Sequence, residues 1–182
     1  MWNFFVEMKN IKNLNKKLNK KKCLSLAFIA SILFGLSTLI FTTPAGMPLV
    51  TPGIATGIFI LSLIAIYFKS FILSRVMCIL TDKKGIENAL IPVVYVAYLF
   101  SIGLVVSGIL NYIPAFGPFL GWLVLVFAGM IGYSLFFRLL VDNYKTDMLT
   151  VLLGLGIALL SIFAATSLIL FSRIDLILGS LF

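Results

Sequence analysis

Five apolar stretches, each close to the length a helix needs to cross a bilayer, fill most of the chain from Leu24 to Phe171. A hydrocarbon layer about 30 Å thick takes about 20 residues of α-helix to span. The breaks between the stretches place them. The first covers about 24–42 and stops at "TTPAGMPLVTPG", where Pro44, Pro48 and Pro52 with Gly46 and Gly53 leave no room for a helix. The second covers about 53–80 and is closed by the polar turn "TDKKGIEN"; the third, about 89–110, ends at "NYIPAFGP". The fourth, about 119–141, is closed by "DNYKTD", and the fifth runs over about 148–171, leaving residues 172–182 as a short tail.

Composition assigns these stretches to a membrane rather than to a soluble core. Of the 182 residues 62% are hydrophobic and 11% charged, against about 45–50% and about 25% in soluble domains. The expectation is one domain, an all-α integral membrane protein built as a bundle of five transmembrane helices, with no separate soluble domain.

Charge gives the bundle its direction. Seven of the fourteen basic residues precede Cys23, and only Glu7 offsets them. The run that follows, "LSLAFIASILFGLSTLIF", exceeds the h-region of about 7–15 residues usual in a cleaved signal, and no A-x-A site follows it. A retained first helix is therefore expected. Residues 1–23 then form a basic cytoplasmic segment drawn to anionic headgroups, worth about 1 kcal/mol per charge near the surface. Phe4, Met8, Ile11 and Leu18 approximate a helical stripe there, which suits a helix lying on the leaflet, although a partly disordered tail fits the Lys/Asn content nearly as well. With no folded domain to display the lysines, nucleic acid is not an expected partner. A cytoplasmic N-terminus also puts Lys83, Lys84, Arg138 and Lys145 on the cytoplasmic side and only Arg173 on the far side, with the C-terminus. The location expected is the cell membrane.

Lys69 and Arg75 interrupt the second apolar stretch in "IYFKSFILSR". Counted from Gly53, the 16 residues to Phe68 rise about 24 Å, so Lys69 falls near the cytoplasmic boundary and can snorkel, while Arg75 lies about 9 Å further along. The remaining chemistry is sparse. The chain has no His, and its six carboxylates all fall in loops or tails, so no catalytic, metal or cofactor site is expected. Cys23 and Cys78 read as small apolar residues at the boundary, and "DNYKTD" as a solvated turn with Asp147 as the N-cap of the fifth helix. A Ser–Lys pair of Lys69 with Ser70 or Ser74 lacks any feature that would bring the two groups together.

The spans do carry a packing code. Gly154, Ala158, Ser161 and Ala165 form one small-residue face of the fifth helix. Gly121, Ala128, Gly129 and Gly132 cluster in the fourth, and Ala97, Ser101 and Gly108 in the third. Small faces let helix backbones approach closely in lipid, here within one bundle in preference to a homo-oligomer.

The polar "LTDKKGIENAL", the aromatic "VVYVAYLFSIG" and the stretch "GYSLFFRLLVDNYKTDMLTVLLGLGIAL", set in a five-helix order, resemble the Yip-domain family, the Ypt/Rab-GTPase-interacting membrane proteins and their prokaryotic relatives. The likeness covers about 53–171. It implies a non-enzymatic scaffold or adaptor whose cytoplasmic turns dock other membrane or cytoplasmic proteins. On that reading Lys69, Arg75, Lys83, Lys84, Arg138 and Lys145 are the candidate contacts to partners or headgroups. A small transporter or channel subunit, with Lys69 attracting an anion, is the alternative of another class.

Overall fold

The computed structural model describes residues 20–42, 51–83, 85–114 and 116–179, and these are helical apart from short turns. In chain order the helices are α1 (Lys20–Thr42), α2 (Thr51–Thr81), α3 (Ile86–Leu110), α4 (Gly117–Tyr144) and α5 (Met148–Gly179). No strand occurs among the described residues. Four segments, Lys22–Ile40, Pro52–Thr81, Ile86–Leu110 and Gly117–Tyr144, are long and apolar enough to cross a membrane, and Met148–Ala164 is a shorter apolar helical stretch. Residues 1–19 of the basic segment, 43–50 of the first turn, Lys84 and the last three residues of the tail lie outside the described set.

The punctuation read from the sequence sets most of the ends. α4 opens on Gly117 with Pro118 in its first turn, where a missing N–H costs nothing. Pro52, expected to lie in the break before the second helix, instead lies in the first turn of α2, where a proline is tolerated. α3 starts after Gly85, whose φ of 133° and ψ of 115° suit glycine alone. α4 ends on Lys145 in the left-handed region (φ 47°), and the N–H groups of Lys145 and Thr146 both return to the Val141 carbonyl. α5 departs from expectation. It continues past Phe171 to Gly179, because "SRIDLIL" contains neither proline nor glycine to stop it.

Between apolar helices in lipid, contact depends on van der Waals packing, so small residues decide who approaches whom. α3 and α4 form the most extensive pair. A Cβ added at Gly103 would stand 2.7 Å from that of Ala128, and one added at Gly121 would stand 2.8 Å from the Ser107 hydroxyl. Ser101 and Gly108, on the small face of α3, are buried. α1 lies against α2 and α3, burying Ala27, Ala30 and Ser31, and Gly35 lets the Ala55 carbonyl come close. α5 rests on α2 along Val151, Gly154 and Ala158, with Gly154 against Met77 and Leu80, and touches α4 only lightly. Ser161 departs from the small-face expectation: it is exposed and bonds back to the Ile157 carbonyl of its own helix.

Two longer-range polar contacts tie the ends. Pro92 sits inside α3, so it offers no N–H to the carbonyl four residues back, that of Asn88. Asn143 supplies the missing donor: its Nδ2 lies 2.9 Å from the Asn88 oxygen, joining the last turn of α4 to the first of α3. At the opposite end the Tyr112 hydroxyl donates to the Ile40 carbonyl at 2.9 Å, satisfying one of the acceptors left open at the C-terminus of α1. Buried serines bond locally. Ser31 and Ser70 each donate to the carbonyl one turn back, at 3.0 Å and 2.6 Å.

Candidate functional site

The charged residues of α1 to α4 gather at one end of the bundle, where α1 starts and the turns 82–85 and 145–147 lie. At 1.5 Å per residue Lys69 stands about 27 Å from the start of α2 and Arg138 about 32 Å from the start of α4. Two parallel helices therefore carry cations at nearly the same height. Asp82, Glu87, Asp142 and Asp147 are exposed around the same turns. The turn from α3 to α4 presents Tyr112, Phe116, Phe119 and Trp122, all exposed, and its described residues carry no charge. Exposed aromatics of this kind suit a membrane interface.

Lys69 and Arg75 look alike in the sequence but occupy different faces of α2. Leu61, Ile64, Phe68, Phe71, Arg75 and Ile79 follow one another at intervals of three and four, and every one is exposed. Arg75 thus belongs to an outward stripe, with its guanidinium carbon 5.1 Å from the centroid of the Phe71 ring one turn back. Lys69 shares its side of the helix with Leu73, Val76 and Leu80. Leu73 and Val76 are in the core that includes Val151 and Ala158 of α5, and Leu80 touches Gly154. Lys69 is nonetheless exposed, one turn beyond the last of these contacts.

Of the other candidate cations, Arg138 is exposed on α4, Lys83 is half-buried in its turn, and Lys145 is exposed as the left-handed cap of α4. Lys84 is outside the described residues. The structure does not bring these groups into one cluster, and among the described residues no ion pair joins Lys69, Arg75, Lys83, Arg138 or Lys145 to a carboxylate.

Asp147 is the N-cap of α5, as its position before the fifth stretch suggests. Its carboxylate accepts a hydrogen bond from the Thr150 hydroxyl, and its carbonyl receives the Val151 N–H at 3.3 Å. The Thr150 hydrogen bond holds the carboxyl below its ordinary value of 3.8, with desolvation acting the other way. Beside this turn lies a core of Leu73, Met77, Ala89, Leu140, Tyr144 and Val151. Tyr144 is 1% exposed, and its hydroxyl has no hydrogen-bond partner, although Ser74 approaches it from α2. Cys23 is buried among Ala27, Ala30 and Leu90 as a free thiol, and Cys78 is a half-buried one. No group of three His, Cys, Asp or Glu side chains able to hold a metal occurs among the described residues.

Two elements of this end are not anticipated by the sequence reading. The Phe71–Arg75 pair was open to detection from its i, i+4 spacing. The Asn88 acceptor was open to detection from Pro92, but its donor lies 55 residues away. Comparison of the chain with protein-family models, curated proteins and solved structures finds no match.

Proposed function

We propose that the chain is a multi-pass protein of the cell membrane, crossing five times with its N-terminus cytoplasmic and its C-terminus on the far side, and that it acts as a non-enzymatic scaffold. Its cytoplasmic turns, "TDKKGIEN" and "DNYKTD", dock other components, as the resemblance to the Yip-domain family implies. The observation that carries this reading is the division of the molecule. Charged, exposed turns project at one end, while the helices behind them close on one another. The contacts of Gly103 with Ala128 and of Gly121 with Ser107 bring α3 and α4 together without space for a conduit between them.

Proteoliposomes test it. The scaffold reading expects anion and dye flux equal to that of protein-free vesicles, and Lys69→Gln to assemble as the unaltered chain does. Flux that is present, and that disappears in Lys69→Gln while assembly is normal, would contradict the scaffold and establish a transporter with Lys69 in its path.

A further inference from the structure

The arginine on the outward stripe of α2 points the wrong way for water. Side chains on an α-helix tilt toward its N-terminus. α2 has its C-terminus at the basic end, so a cation near that end is aimed back along the helix, away from the turns. Arg75 does this, folding over Phe71 one turn behind it. One turn ahead on the same stripe is Ile79, 81% exposed. The guanidinium therefore stands between apolar side chains along the helix on an exposed face, and no carboxylate among the described residues pairs with it.

If α2 crosses a bilayer, a premise taken from the function proposed above, the sideways neighbour is lipid. Arg75 lies about 9 Å past Lys69, at the level of the headgroups, where lipid phosphates are the counter-charge at hand for a guanidinium that no described carboxylate pairs with. Arg suits that ligand, since its planar fork matches phosphate oxygens and the Phe71 face fixes its plane. We propose that Arg75, held over Phe71, binds the phosphate of an anionic phospholipid in the leaflet at the basic end. A zwitterionic headgroup sets a cation beside that phosphate, which the guanidinium repels and no carboxylate among the described residues offsets, so net negative lipid is favoured.

Native mass spectrometry of the full chain in detergent, titrated with phosphatidylglycerol, phosphatidylcholine of the same acyl chains, or inorganic phosphate, reads the site. Phosphatidylglycerol should bind at least about tenfold more tightly than phosphatidylcholine, because only the latter sets a cation beside the phosphate that Arg75 contacts. Arg75→Gln should lower that ratio about tenfold, to the level the other basic residues sustain, and Phe71→Leu should lower it less, both with helicity unchanged by far-ultraviolet circular dichroism. Arg75→Lys should retain part of it. Inorganic phosphate should not compete. A ratio unchanged in Arg75→Gln, or displacement of lipid by inorganic phosphate, overturns the proposal even where cysteine labelling places α2 across the membrane. Labelling that places both ends of α2 on one side overturns the crossing premise, and the leaflet assignment with it.

Discussion

Much of what Asn143 contributes should depend on Pro92. Pro92 deprives the Asn88 carbonyl of its helical donor, and Asn143 Nδ2 replaces it at 2.9 Å in a part-buried setting. Asn143→Ala removes the replacement. The cost lies between the net worth of a hydrogen bond, about 0.5–1.5 kcal/mol, and the penalty for an unsatisfied buried acceptor, about 1–3 kcal/mol; partial burial places it near 1–1.5 kcal/mol. Pro92→Ala restores the N–H and relieves the clash of the proline ring, a gain of up to about 3 kcal/mol. With Asn88 bonded within its own helix, Asn143→Ala should then cost about 1 kcal/mol less than in the proline background, and that difference is the coupling. The four proteins of this cycle can be compared by SDS-driven unfolding in mixed micelles. Equal costs of Asn143→Ala in both backgrounds would refute the reasoning and leave the contact incidental.

Gly103→Val should separate α3 from α4, because the added atoms meet Ala128 directly; loss of about 2 kcal/mol or more in the same unfolding assay is expected, whereas Gly129→Val, with open space around it, should be nearly neutral. Tyr144→Phe removes a buried hydroxyl that has no partner and should be neutral or stabilise by up to about 1 kcal/mol; a clear loss of stability would show that the Ser74 contact is a working hydrogen bond. Asp147 has a depressed carboxyl, so its cap is fully present above the ordinary value of 3.8 and is lost as pH falls through the lower folded value. Amide exchange at Thr150 and Val151 should accelerate in that acid range, and Asp147→Asn should abolish the pH dependence.

The helix ends were legible to within a few residues at the proline- and glycine-rich "NYIPAFGP", whereas α3 begins after Gly85 and so ahead of the expected start at about 89, and no end was legible where nothing enforces one. Residues 172–182 read as a tail in the sequence, yet a charge does not break a helix, and α5 runs through Arg173 and Asp175 to Gly179. The small residues of α5 announced a close approach without naming the neighbour. Gly154 meets Met77 of α2, although α4 precedes it directly in the chain. Likewise the spacing of Lys69 and Arg75 places them on different sides of α2, but which side is buried depends on where α5 packs, and apolar character on every face of these helices conceals that. The basic end was legible from the charges alone. The alignment of Asn143 with Asn88 required the register of α3 against α4, which no local pattern encodes.

The central claim, that the basic end and the aromatic turn lie on opposite sides of a membrane, can be tested by labelling single cysteines with an impermeant maleimide. In a chain with Cys23→Ser and Cys78→Ser, Ile113→Cys reports on the turn between α3 and α4, and Lys83→Cys on the turn between α2 and α3. The prediction is that Ile113→Cys is modified in intact cells and Lys83→Cys only after the membrane is opened. Equal modification of both in intact cells would contradict it.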